Sequence, residues 1–236
     1  MRRSPEWRVG KNWVEQATDA LLERLSARPA LRICLATGST PLPVYQRLTA
    51  SPAAFAAASV LLLDEFGGLP ATEPERCDAV LRRELVDHVE PADYRTIDVD
   101  ADDLDSECSA IDQWIDRGGL DLAILGLGVN GHLGMNEPGS DSDGRTARVE
   151  LATSTIEGAQ RYFAGRHRPT WGVTVGLRDL LRAGEVWVLA AGPTKAEIVA
   201  RSLQGAAGAD VPASLLQDHP NCTWWLDPPA ATNLEM

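Results

Sequence analysis

Cations are scarce in this chain: 22 lysines and arginines stand against 34 aspartates and glutamates, for a formal net charge of −12 at pH 7. Such a surface repels polyanions, which argues against a nucleic-acid or anionic-membrane partner. An anion could be held only by a few local cations and by backbone N–H groups. Cysteine is sparse too. The 4 cysteines, Cys34, Cys77, Cys108 and Cys222, form no CxxC or other close metal-type pair. A chain of 236 residues can build its own core, so a disulfide framework is not expected and they read as reduced thiols. His88, His132, His167 and His219 are scattered, and one histidine with one nearby carboxylate is too few ligands for a metal. No apolar run reaches membrane-spanning length. The start "MRRSPEWRVGKNW" is basic but lacks the apolar stretch of a signal peptide. These absences lead us to expect a cytoplasmic protein with no membrane association, no metal and no cofactor.

What is present is a regular alternation. Val14, Ala17, Leu21 and Leu25 recur at helical spacing. "LRICLA" (residues 31–36) then reads as a buried strand, stopped by "TGSTP". Pro41 stands where a helix would begin. "SVLLLDEF" (59–66) reads as a second buried strand ending in acids, and Pro74 opens a helical stretch that runs to Val89. "YRTIDV" predicts a third strand, residues 104–115 a helix, and "LDLAILGLG" (120–128) the clearest strand of all. "ARVELAT" predicts a strand in a different setting. "WGVTVGL", "EVWVLAA" and "CTWWLD" predict the closing strands, with a helix over residues 193–203 between the last two. Apolar strands alternating with helices predict an α/β fold, a doubly wound, mostly parallel sheet with helices on both faces. With no repeat, low-complexity tract or long linker, the chain is read as one domain over residues 1–236.

In open parallel sheets, ligands sit beyond the carboxyl ends of the strands. Three strand ends carry suggestive chemistry. In "ATGSTP", Gly38 lets a ligand approach the backbone, and Ser39 and Thr40 add hydroxyls, which suits a phosphate. The turn lacks the GK[ST] of a Walker loop, and taken alone it is equally well a capped strand-to-helix turn. In "LLLDEFGGLP", Asp64 and Glu65 would point to opposite sides of a continuing strand, so one could face a site. An enclosed Asp64 would make a general base, although by themselves both acids are as readily solvated. The third end is "LGLGVNGHLGMNEPG" (125–139), with five glycines, His132 and Glu137. A histidine whose orientation a carboxylate or amide fixes is a proton-transfer unit; a histidine bonded to its own turn is the plainer alternative. Lys195, near the start of a helix, is unfavourable there unless an anion partners it. Arg161, in "AQRYF", is ambiguous on its own.

Taken in order, "ICLATGSTPLPVY", "LLLDEFGGLP", "LDLAILGLGVNGHLGMNEPG", "AQRYF", "GVTVGLRDLL", "GPTKAE" and "VPASLLQDHP" resemble the amino-sugar phosphate deaminase/isomerase family. The match spans nearly the whole chain from Leu31 to Asp227. Its most specific element is GHxxxNEPG, which related 6-phosphogluconolactonases do not continue. "ICLATGSTPL" and "GGLDLAILGLGVNGHLGMNEPG" look most like the galactosamine-6-phosphate isomerase branch. The resemblance implies a fold like that of ribose-5-phosphate isomerase and a deaminating aldose–ketose isomerisation of a phosphorylated amino sugar. It implies that His132 moves the ring-opening proton, that Glu137 and Asn130 orient it, and that Asp64 shuttles a proton between C2 and C1. It puts Gly38, Ser39, Thr40, Arg161 and Lys195 on phosphate-binding positions. It also gives Gly126, Gly128, Gly131 and Gly134 the task of letting backbone and sugar approach.

Two departures stand out. Asn130 replaces the aspartate of many members and cannot supply charge. Ala147 and Val149, in "SDSDGRTARVE", fall where the cations of an allosteric site would align, and the C-terminal extension of the allosteric enzymes is missing, so no activation of that kind is expected. A non-catalytic sugar-phosphate sensor is the second reading, opposed by the absence of spare length for a helix-turn-helix and by the presence of Asp64, His132 and Glu137. A lactonase is the third, opposed by NEPG. The epimer at C4 and the oligomeric state, a homo-oligomer included, stay open.

Overall fold

The computed structural model describes residues 5–235; the basic start at residues 1–4 lies outside the described residues. The strands are β1 (Glu6–Val9), β2 (Arg32–Leu35), β3 (Ser59–Leu62), β4 (Asp64–Phe66), β5 (Asp93–Arg95), β6 (Leu122–Gly126), β7 (Ala147–Glu150), β8 (Trp171–Thr174), β9 (Glu185–Ala190) and β10 (Cys222–Leu226). The helices are α1 (Trp13–Ala27), α2 (Leu42–Leu48), α3 (Cys77–Leu81), α4 (Asp87–Val89), α5 (Leu104–Asp116), α6 (Thr153–Ala159), α7 (Leu177–Leu181) and α8 (Ala196–Gln204). One π turn, Arg82–Val86, joins α3 to α4. Seven strands make a parallel sheet in the order β1-β10-β9-β6-β2-β3-β5, and β4, β8 and β7 make a small antiparallel sheet.

The apolar runs form central strands because both faces of the large sheet are covered. Side chains alternate across a strand, and the two cores divide accordingly. Ile33 and Leu35 of β2, Leu122 and Ile124 of β6, and Trp187 and Leu189 of β9 join one core, against Ala17, Leu21 and Leu25 of α1. Their neighbours Cys34, Ala123, Leu125, Val186 and Val188 join the other, against Ile111 and Ile115 of α5 and Ile198 and Val199 of α8. Each fully buried aliphatic side chain stabilises by about 1.5–3 kcal/mol relative to exposure, which is why these strands carry almost no polar residue. The 4 cysteines are all buried and unpaired.

Chain order sets the position of the cleft. From β2 the chain steps outward to β3 and β5, then returns to the other side of β2 as β6 and continues through β9 and β10. The direction reverses between β2 and β6, and a crevice opens there beyond their carboxyl ends.

Two expectations are corrected. "SVLLLDEF" is not one strand. It leaves the parallel sheet after Leu62 and re-enters structure as β4, with Asp64 opposite Thr174 of β8. The reason is that Leu63 bonds both ways, its N–H donating to Leu35 and its carbonyl accepting from Val175, and so acts as the hinge between two sheets. "WGVTVGL" likewise pairs antiparallel with β4 and β7 rather than extending the main sheet. The different setting expected for "ARVELAT" is found: β7 is the edge of that small sheet. The edge strand β1 and the short helices α6 and α7 had no periodic signal and were not anticipated.

Candidate active site

The crevice is a cavity of about 360 Å³ at the β2–β6 switch point, lined among others by Thr37 to Thr40, Asp64, Gly126 to Val129, His132, Thr155, Arg161, Tyr162 and Lys195. Among the described residues no group of His, Cys, Asp and Glu could hold a metal ion.

The adjacent acids divide their tasks. Glu65 turns away from the cavity and accepts from the backbone N–H groups of Phe66, Cys77 and Asp78, tying β4 to the start of α3. Asp64 lines the cavity and is 9% exposed. Burial, helped by the neighbouring Glu65 charge, pushes its carboxyl up to about 7. The hinge at Leu63 therefore delivers one carboxyl, poised near neutrality, to the mouth of the switch point.

The glycine-rich loop holds His132 from behind. Its Nδ1 lies 3.3 Å from Glu137 Oε2 and 3.1 Å from the Thr155 hydroxyl. Burial alone would push Glu137 up, but its bonds with His132, Thr155 and Asn130 outweigh that and hold it at about 2. Gly128 must be glycine, because a β-carbon there would lie 2.4 Å from the imidazole. Gly126 has open space above it and is the glycine that leaves a ligand room. Asn136, the asparagine of NEPG, donates to the carbonyls of Leu133 and Val175 and clamps the loop onto β8.

Asn130 sits beside His132 and meets its backbone rather than its ring. Its amide donates to Glu137 Oε2 at 2.8 Å and to the Ser154 hydroxyl at 3.2 Å. Its carbonyl accepts from the His132 backbone N–H. It thus orients the imidazole through Glu137, and a neutral amide suits that place because it donates to a carboxylate where aspartate would repel it.

On the opposite side lie the cations. Lys195 Nζ donates to the Leu127 carbonyl at 2.5 Å. Burial and the nearby Arg161 charge push it down to about 8. Arg161 Nε donates to the Gly158 carbonyl, and the residue lines the cavity. The turn at residues 37–40 lines the same cavity, and there Gly38 has φ +112°, a conformation that glycine adopts without strain. Two cations that repel one another beside a glycine turn give this side of the crevice a local positive charge, the chemistry that attracts an anion.

Of the candidate site residues, Gly38, Ser39, Thr40, Asp64, His132, Arg161 and Lys195 thus line this crevice, with Asn130 and Glu137 bonded behind His132; Gly131, expected to face the sugar, instead packs against Val211 and Ile198. Sequence reasoning missed Thr155, Ser154 and Tyr162. They come from α6 and the loop that follows it, a stretch without apolar periodicity, and only the bond from Thr155 to His132 marks it out.

Fold and crevice together define a doubly wound α/β protein whose switch-point cavity joins a buried carboxyl, a Glu-backed histidine and two neighbouring cations. The family described as glucosamine-6-phosphate isomerases/6-phosphogluconolactonase matches residues 7–225, and the chain belongs to it. A glucosamine-6-phosphate deaminase of Pseudarthrobacter chlorophenolicus is 40% identical over 227 residues, covering 93% of this chain and 88% of the relative. The solved structure of a monomeric glucosamine-6-phosphate deaminase superposes with a TM-score of 0.92 at 29% identity, over 97% of this chain and 100% of that one. A 6-phosphogluconolactonase of Trypanosoma brucei shares the fold, with a TM-score of 0.79 at 21% identity over 98% and 99% of the two chains.

Proposed function

We propose that this chain is a deaminating aldose–ketose isomerase of 6-phospho-amino sugars, with glucosamine-6-phosphate, converted to fructose-6-phosphate and ammonia, as its first candidate substrate. The observation that carries the reading is one cavity joining a buried carboxyl near neutrality, a Glu-backed histidine and two mutually repelling cations. The curated deaminase relative supports the gluco epimer; the galacto epimer, suggested by the strand-end motifs, is its competitor.

The cradle of Gly38, Ser39, Thr40, Arg161 and Lys195 takes the 6-phosphate and presents the sugar to the opposite wall. His132 carries the proton exchanged between the anomeric hydroxyl and the ring oxygen as the ring opens, with Glu137 compensating its charge when it is protonated. Asp64, ionised, removes the proton from C2 of the open chain and returns it to C1. The C2–H electron pair forms an enolamine as the C1 oxygen takes a proton from solvent; the proton returned to C1 leaves C2 as an iminium, water adds to C2, and ammonia leaves as the carbonyl of the ketose forms. Such proton transfers are worth about 10²–10⁴-fold each when positioned.

The test is an ammonia-release assay with both amino-sugar epimers side by side, together with hydrolysis of 6-phosphogluconolactone. Ammonia from the gluco epimer is the expected result. Ammonia from the galacto epimer alone would reassign the substrate. Lactone hydrolysis without ammonia, or phosphate-sugar binding with no turnover, would replace the reading with the lactonase or the sensor.

A further inference from the structure

Tyr162 stands out once the cradle is drawn. It is one of three large hydrophobic side chains that stay exposed among the described residues, at 40%. The next residue, Phe163, is fully buried and packs edge-on against Phe66 at 5.6 Å and beside His167 at 6.0 Å. That loop is fastened further by the buried Glu73, which accepts from Arg166 Nη2 at 2.9 Å and lies 2.8 Å from His167 Nε2. With Phe163 anchored inward, Tyr162 is turned out over the cavity. Its hydroxyl would lie 3.6 Å from a β-carbon built on Gly38, directly above the turn at residues 37–40. Among the described residues that hydroxyl has no hydrogen-bond partner.

We propose that Tyr162 is a further ligand of the cradle: its O–H donates to the phosphate held by Arg161, Lys195 and the 38–40 turn, and its ring shields that phosphate from water. This rests on the proposed phosphate site. The chemistry favours a phenol at this place. Lys195 already loses affinity for its proton through burial and the nearby Arg161 charge, so a third cation would weaken the first two. A phenol adds a donor without adding charge. The ring also lowers the local dielectric, which strengthens the charged contacts beneath it.

The experiment measures inorganic phosphate binding by calorimetry at pH 7 for the wild type, Tyr162→Phe and Lys195→Ala. Circular dichroism confirms folding, and steady-state kinetics are run on the amino-sugar phosphate. Tyr162→Phe keeps the ring and removes only the donor. It is expected to weaken phosphate about tenfold and to raise KM by a similar factor, with kcat within about twofold, because the contact is the same in ground and transition states. Wild-type phosphate affinity in Tyr162→Phe, with affinity lost in Lys195→Ala, would overturn the role of Tyr162 and leave the cradle standing. Phosphate that binds neither wild type nor variants would overturn the cradle and this proposal together.

Discussion

The two walls of the crevice are built in opposite ways. On the wall of His132, polar groups are satisfied by protein: Glu137 bonds His132, Asn130 and the Ala152 N–H, and Thr155 adds a further contact to the imidazole. On the wall of Lys195, the charges are left uncompensated. Lys195 meets a carbonyl and another cation, and among the described residues no carboxylate pairs with it. The difference fits the tasks proposed for the two walls. A proton carrier has to be held in one orientation before the substrate arrives, whereas a site for an anion has to keep its electrostatic attraction unspent. An acidic chain of net charge −12 would otherwise fill such a place with a carboxylate.

Breaking the first wall should cost most. Asp64→Asn is expected to lower kcat by about 10²–10⁴-fold while phosphate affinity in calorimetry is retained, because the cradle is untouched. The same variant has a second signature in stability. The folded carboxyl titrates near 7 against an ordinary 3.8, so the folded chain keeps a proton that the unfolded chain has released. Ionising Asp64 therefore costs stability increasingly from pH 3.8 upward, and the cost is complete above about pH 7. Asp64→Asn should raise Tm at pH 8 and leave it unchanged at pH 3; an unchanged Tm at both would mean that the carboxyl is not strained by burial.

Breaking the second wall should cost less, and in a different constant. Lys195→Ala is expected to raise KM by roughly 10–100-fold, the loss of one charge-assisted contact of about 1.5–3 kcal/mol, with kcat nearly kept. A fall in kcat with KM unchanged would put Lys195 on the chemical side of the crevice.

The pH profile sharpens the contrast within a single protein. kcat/KM should rise as pH passes about 7, where Asp64 becomes a base, and fall above about 8, where Lys195 loses its charge. In Lys195→Arg the alkaline limb should move up by more than one pH unit, because a guanidinium stays charged, while the acidic limb stays in place.

The smallest effect belongs to the fastening between the walls. Glu73→Gln weakens the hold on Arg166 and His167 and should raise KM a few-fold through Arg161 and Tyr162, with kcat preserved. Titration of ammonia release against substrate concentration separates the two constants.

Much of this was legible in order of residues. "LDLAILGLG" became β6 and residues 104–115 became α5, because long apolar runs and clear periods leave few alternatives. The strand ends carrying Gly38, Asp64 and His132 converge as expected, since parallel strands put their carboxyl ends on one edge. What escaped detection had no periodic signal. α6 carries Ser154 and Thr155 within a stretch of small polar residues, and β1 is an edge strand with an exposed pattern. Asn130 was expected beside His132, but its partners, the Glu137 carboxylate and the His132 backbone N–H rather than the ring, could not be read from a spacing of two residues.

Composition and pattern by themselves determined the α/β class, the two-sided burial of the central strands, the scarcity of cations and the glycine-rich end of β6, for each depends on local propensity and on the period of apolar residues. Tertiary structure alone decided that Leu63 is a hinge between two sheets, so that Asp64 and not Glu65 enters the crevice. It alone decided that Asn130 reaches His132 through Glu137, and that Arg161 and Lys195, 34 positions apart in the chain, press their charges together. The physical reason is the same in each case: a pKa, an ion pair or a facing side chain depends on distance and burial in space, and neither is a property of neighbours along the chain.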